Sequence, residues 1–230
     1  NNWVPYIWRT RNYGKSWERI LKKGDIRSFA YCFEQDPVAE NLYFCGTEFG
    51  LYVSFDAGEN WNQWTVGYST VPTRDLVIHP RDHDLVIGTF GRSFWILDDI
   101  RPLREMAQSR IEMMKEKNVH LFQMPDAYLF AIGESIGYRD GKVGEALYNG
   151  EIRAYGALIT YYLKDVDKGS MADLPLDQQV KIAIKDANGK TVRHLYQKPK
   201  GGVNRLNWEL DRDAVRSPTR ALTSSNRAPR

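Results

Sequence analysis

Thirty-two basic residues against 29 acidic ones in a chain of 230 leave a formal net charge of +3. That balance offers no charge excess to draw nucleic acid or an anionic membrane. Hydrophobic residues make up 42% and charged residues 27%, a composition that folds rather than staying disordered. No stretch approaches the ~18 apolar residues of a membrane span, so no direct membrane insertion is expected.

The chain opens with Asn1-Asn2-Trp3, already in a strand-like pattern, with no initiator Met and no signal peptide. It is therefore read as a piece of a longer parent. Repetition is the strongest signal. Thr10-Arg11-Asn12-Tyr13-Gly14-Lys15-Ser16-Trp17 and Ser54-Phe55-Asp56-Ala57-Gly58-Glu59-Asn60-Trp61 both fit Ser/Thr-x-Asp/Asn-x-Gly-x-x-Trp and start 44 residues apart. That spacing is close to one four-stranded propeller blade, ~40–50 residues. In each box the hydroxyl of Thr10 or Ser54 ties down the start of the turn. The Asn12 or Asp56 side chain accepts backbone N–H bonds. Gly14 and Gly58 supply positive φ, and Trp17 and Trp61 are expected to leave the turn and pack between sheets.

After Asp25, Ile26 to Phe33 reads as an inner strand. The Asp36-Pro37 turn leads to strands Leu42 to Thr47, Leu51 to Phe55 and Trp61 to Val66. A third unit repeats the order with Arg74 to Ile78, the His79-Pro80 turn, Leu85 to Thr89 and Ser93 to Leu97, but it has lost its box and runs out at Asp98-Asp99. Cys32 and Cys45 fall one residue out of opposition about the Asp36-Pro37 turn, on different faces, and are expected to be free thiols.

The strings Gly46-Thr47-Glu48-Phe49-Gly50-Leu51-Tyr52-Val53-Ser54, Arg74 to Arg81 and Thr89-Phe90-Gly91-Arg92-Ser93-Phe94-Trp95-Ile96-Leu97-Asp98-Asp99 resemble the large bacterial BNR (Asp-box) repeat proteins related to the sortilin propeller. The resemblance covers roughly residues 1–125. Phe90 stands where that pattern has a His. The resemblance implies a secreted, periplasmic or outer-surface bacterial protein and peptide or protein ligands.

Leu103, Met106, Ile111 and Met114 recur at helical spacing after Pro102, predicting an amphipathic helix from Pro102 to Glu116. Residues 119–150 read as a linker. A new β pattern begins with Ala157 to Leu163. It continues with the hairpin Val180 to Lys185, Asn188-Gly189 and Thr191 to Tyr196, and with Gly202 to Leu210. The run Lys181 to Arg193, with Gly202-Val203-Asn204-Arg205-Leu206-Asn207-Trp208, resembles the Ig-like domain of flagellar hook-capping proteins. The expected fold class is thus all-β: terminal blades of an Asp-box β-propeller (1–100), a helix and linker packing on them (101–150), an incomplete Ig-like β-sandwich (151–212) and a flexible tail (213–230).

Arg27 and Arg74 are placed at matching starts of successive inner strands. With Arg92 and Glu48 on neighbouring loops they form the expected ligand-binding rim, its guanidinium groups suited to a carboxylate. A glycosidase needs two carboxylates flanking the bond, and none of Asp25, Glu48, Asp75, Asp98 and Asp99 stands out as a pair. No catalytic residue and no cofactor is expected. His79 and His83 with Asp82 and Asp84 form a polar turn rather than a metal site. The leading expectation is a non-catalytic binding or scaffold module recognising protein, peptide or glycan, with the missing blades of its parent as its other partner. The alternative is a fragment of a sialidase-like or xyloglucanase-like glycoside hydrolase whose catalytic residues lie mostly in those missing blades.

Overall fold

The computed structural model of the chain describes residues 4–22, 24–109, 116–129, 153–164, 175 and 178–213. Among these residues the fold is all-β, with propeller-like antiparallel sheets and one short helix. A two-stranded ribbon, β1 (Trp8–Arg9) and β2 (Glu18–Arg19), precedes a four-stranded sheet. That sheet runs β3 (Ala30–Gln35), β4 (Tyr43–Thr47), β5 (Gly50–Ser54) and β6 (Asn62–Gln63), in that spatial order. A three-stranded sheet follows, β7 (Thr73–Ile78), β8 (Leu85–Thr89) and β9 (Phe94–Leu97), and then helix α1 (Arg101–Gln108).

The boxes close equivalent turns. Thr10 Oγ1 accepts from Gly14 N at 2.8 Å, as Ser54 Oγ does from Gly58 N at 2.9 Å. Asn12 Oδ1 accepts from Ser16 N at 2.8 Å, and Asp56 Oδ1 from Asn60 N at 2.9 Å. Tyr13 and Ala57, the middle residues of the two turns, both adopt positive φ, 55° and 59°. The two tryptophans diverge. Trp61 lies half-buried against Leu21, Ile26, Cys45 and Tyr52, whereas Trp17 is 58% exposed and only returns its indole N–H to Gly14 O. The expectation that Trp17 is buried is corrected: its ribbon has two strands, and no described sheet covers that face of it.

The main core lies between the second and third sheets. Leu42, Phe44, Leu51 and Val53 of one meet Leu76, Ile78, Leu85 and Ile87 of the other, closed at one end by Ile100, Leu103 and Ala107 at and within α1. Gly46 is the close-approach point, since a Cβ there would sit 2.4 Å from Cys32 Sγ and 2.7 Å from Thr73 O. Among the described residues, alternation then leaves much of the far face of the third sheet uncovered. Val77 pairs with Val86 and Val86 with Ile96, and Val77, Ile96 and Phe94 are 54%, 53% and 66% exposed. These positions correspond in register to Glu34, Phe44, Val53 and Leu51 of the second sheet, where the third sheet packs.

Several strand and helix limits move. The inner strand begins at Ala30 rather than Ile26, the outer strand expected from Trp61 to Val66 contracts to Asn62–Gln63, and the third sheet has three strands. The helix stops at Gln108 with Ser109 as its C-cap, and residues 110–115 lie outside the described set. The segment read as linker contains a strand, β10 (Val119–Leu121). It pairs with β11 (Ala157–Leu163), and β11 with β14 (Gly202–Trp208). The hairpin β12 (Val180–Lys185) and β13 (Thr191–Gln197) forms a separate sheet, joined to the first where Tyr161 Oη donates to Gln197 Oε1 at 2.8 Å. Residues 122–129 of the expected linker are irregular, and residues 130–150 and the tail beyond Asp213 lie outside the described residues. Asp213 itself accepts from His194 N and Nδ1 on β13.

Cys32 opposes Gly46 and Phe33 opposes Cys45, so the thiols face opposite sides of one sheet and are free. Burial pushes Cys32 up to about 11 and Cys45 to about 12. Native chain should react slowly with a thiol reagent, and the unfolded, unreduced chain should titrate two thiols; a count of zero would establish a disulfide. Gly46→Ala should cost about 1–3 kcal/mol through overpacking, and Trp17→Ala less than about 1 kcal/mol. Urea denaturation of both decides it, and the reverse ranking would mean that the sheet interface is misplaced.

Candidate functional site

The candidate site is built on a shared irregularity in the two inner strands. In β3 the pairing passes from Ala30–Thr47 to Cys32–Gly46, leaving Tyr31 as an extra residue. In β7 it passes from Thr73–Thr89 to Asp75–Gly88, leaving Arg74 in the same place. A bulge re-aims a side chain out of the alternation. Here two successive bulges bring their side chains together, with the Arg74 guanidinium 3.7 Å from the Tyr31 ring centroid and 5.7 Å from that of Phe90. Tyr31 Oη donates a hydrogen bond to the Glu48 carboxylate. The result is an exposed guanidinium seated on one aromatic face and flanked by another, with a carboxylate fixed behind it. Stacking of this kind suits Arg and leaves the edge of its donor fork open to a planar anion.

The equivalence of Arg27 and Arg74 is therefore corrected. The register makes Tyr31 the counterpart of Arg74, and Arg27 lies three residues ahead of β3. Arg27 and Arg92 are exposed and form no hydrogen bond or ion pair with any described residue. Of the four expected rim residues, the structure joins Glu48 and Arg74 and leaves Arg27 and Arg92 outside the cluster. Tyr31 and Phe90 were missed. The alignment of Gly46-Thr47 with Gly88-Thr89 carried the signal for Tyr31, because it fixes which residues of β3 and β7 correspond.

Three of the other carboxylates serve local contacts. Asp25 Oδ2 accepts from Lys22 N at 2.6 Å, Asp75 Oδ1 from Leu76 N at 3.0 Å, and Asp99 Oδ1 from Arg101 Nε. His79 Nδ1 accepts from Asp82 N at 3.1 Å, while His83 Nδ1 accepts from Arg104 Nη1 at 2.9 Å. The two histidines thus turn to different partners.

The Glu48 hydrogen bond is the largest cause holding the Tyr31 phenol above its ordinary value; burial adds to it and the Arg74 cation opposes it. Glu48→Gln should therefore bring Tyr31 ionisation down towards the ordinary phenol range, read by NMR or ultraviolet titration. An unchanged titration would mean that the pair does not form.

Residues 6–101 fit the family model Sortilin-Vps10, described as sortilin, neurotensin receptor 3, and this supports a sortilin-like propeller relation for that part of the chain. No curated protein and no solved structure matches the chain.

Proposed function

We propose that the chain is a non-catalytic binding module of a secreted or cell-envelope propeller protein, and that its recognition face centres on Arg74. The observation that carries this is the seating of Arg74 between Tyr31 and Phe90 with Glu48 fastened to Tyr31. An exposed cation held in one orientation has already lost much of the freedom that ligand binding would otherwise take from it. The matched family's description names a receptor, which agrees with a binding role. The ligand that fits is an acidic peptide or glycan segment offering a carboxylate to the guanidinium edge, with an apolar group beside it for Phe90 and Phe49, both exposed.

The exposed Val77, Ile96 and Phe94 on one face of the third sheet support a second element of the reading. We place a further blade there, packing as the third sheet packs on the second. The smaller sheets β10-β11-β14 and β12-β13 serve as an Ig-like spacer.

The test is binding of a fluorescent Asp/Glu-rich peptide to the complete protein. Affinity should fall as salt rises. Arg74→Ala should weaken binding about 5- to 50-fold, the range expected for losing a charge-assisted pair, with Tyr31→Phe intermediate. Binding that is indifferent to Arg74 and to salt would place recognition elsewhere.

A further inference from the structure

A concavity lies away from the Arg74 face. It is a cleft of about 920 Å³ between the end of the third sheet and the small sheets that follow it. On one side stand the turn Arg81-Asp82-His83, Asp98 and Arg101. On the other stand the stretch Arg153 to Gly156 and Asn207, and Pro125 to Tyr128 form a third wall. Its size falls within the range of small-ligand sites, roughly 300–1,000 Å³, which gather at junctions between structural units.

The walls are held in place. Arg205 on β14 donates one guanidinium nitrogen to the Asp98 carbonyl and the other to the Asp99 carbonyl, and Asn207 Nδ2 donates to Tyr155 O. At Gly156 a Cβ would sit 2.1 Å from Trp208 O, so the backbone of the second wall is pressed directly against β14. These contacts fix the first two walls relative to each other.

Its chemistry is mixed. Asp98 is half-buried, and its carboxylate accepts no hydrogen bond from a described residue. Burial, followed by the neighbouring Asp84, raises its pKa, with Arg153 and Arg205 opposing. Arg101 spends its Nε on Asp99, and Arg153 stands 3.8 Å from Asp84; the remaining N–H groups of both stay available. Tyr128 is 74% exposed, and Tyr155 adds a second ring. An ion of either sign would meet one set of groups favourably and the other unfavourably. A hydroxyl both donates and accepts, so a ring carrying several hydroxyls can satisfy carboxylate and guanidinium together while its apolar C–H face lies on an aromatic ring.

We propose that this cleft binds a neutral saccharide. Asp98 and Asp126 accept from hydroxyls, Arg101 and Arg153 donate to them, and Tyr128 covers the sugar face. This site is independent of the Arg74 face and does not rest on the reading given for it.

The probes are soluble pentasaccharides of α-linked glucose, β-linked glucose, mannose and N-acetylglucosamine, with the dipeptide alanyl-alanine as a zwitterionic comparison. Each is titrated calorimetrically into the complete 230-residue chain. At least one pentasaccharide should bind with a dissociation constant below about 1 mM, and Asp98→Ala and Tyr128→Ala should each weaken it about tenfold or more. Trp17→Ala should leave it unaltered. Asp98→Ala keeps the carbonyl that Arg205 uses, and Tyr128 is exposed, so both variants should fold, as circular dichroism can check. The proposal is overturned if no pentasaccharide binds, if binding survives both substitutions, or if the dipeptide binds in their place.

Discussion

Arg104 is the residue on which the arrangement of the two main sheets depends. It leaves helix α1, is 6% exposed, and reaches two turns at once. Its Nε donates to Asp36 Oδ2 at 2.8 Å, and its Nη1 donates to His83 Nδ1 at 2.9 Å. Asp36 closes the β3–β4 turn by accepting from Val38 N and Ala39 N at 2.8 and 2.6 Å, and His83 lies in the β7–β8 turn. These are corresponding turns of consecutive sheets, so one guanidinium fixes their separation. A guanidinium can only donate, so His83 must present an unprotonated Nδ1 to it. Burial, then the charges of Arg104 and Arg101, lowers the His83 pKa and favours that neutral form. Such a buried pair adds little net stability against an apolar replacement, but removing one partner leaves an uncompensated charge, at a cost of about 3–5 kcal/mol. Its contribution is to registration.

With that registration set, the inner strands β3 and β7 run side by side, and their bulges fall level. The Arg74 cluster is a consequence. Neither bulged residue would reach the other if one sheet slipped along its neighbour by a residue. The contact at Gly46, where Cys32 and Thr73 close in, limits that slip as well. Packing in the core and geometry at the exposed face are thus one constraint seen at two depths.

What the sequence disclosed follows from how local each feature is. The box turns were legible because a hydroxyl, a carboxylate or amide and a glycine at fixed spacing make their hydrogen bonds within one loop. Strands β8, β11 and β12 were legible to the residue because each is a short run rich in apolar and β-branched residues between turn signals, with β12 alternating as well. The register of β3 was not, since Ile26 is apolar and buried without belonging to the strand. That offset paired Arg27 with Arg74. A bulge adds a residue without changing composition, so Tyr31 gave no sign in the alternation. Strand β10 was hidden for another reason: three residues with an exposed–intermediate–exposed pattern carry too little periodicity to stand out before their partner β11 is known. The partial burial of Trp61 and the exposure of Trp17 separate two identical motif positions, which shows that the motif encodes the turn while the neighbouring sheet decides the tryptophan.

The two cysteines also bear on the surroundings this fold can tolerate. Attack on a disulfide or on an oxidant requires the thiolate. With Cys32 at about 11 and Cys45 at about 12, on the order of one Cys32 in ten thousand is ionised at pH 7, and fewer Cys45. Their placement on opposite faces of a sheet denies them each other. Once folded, the chain carries two unpaired cysteines whose thiolates are scarce at neutral pH, so cross-linking and thiol exchange are slow. The interval of exposure is the folding reaction itself, before β4 is covered.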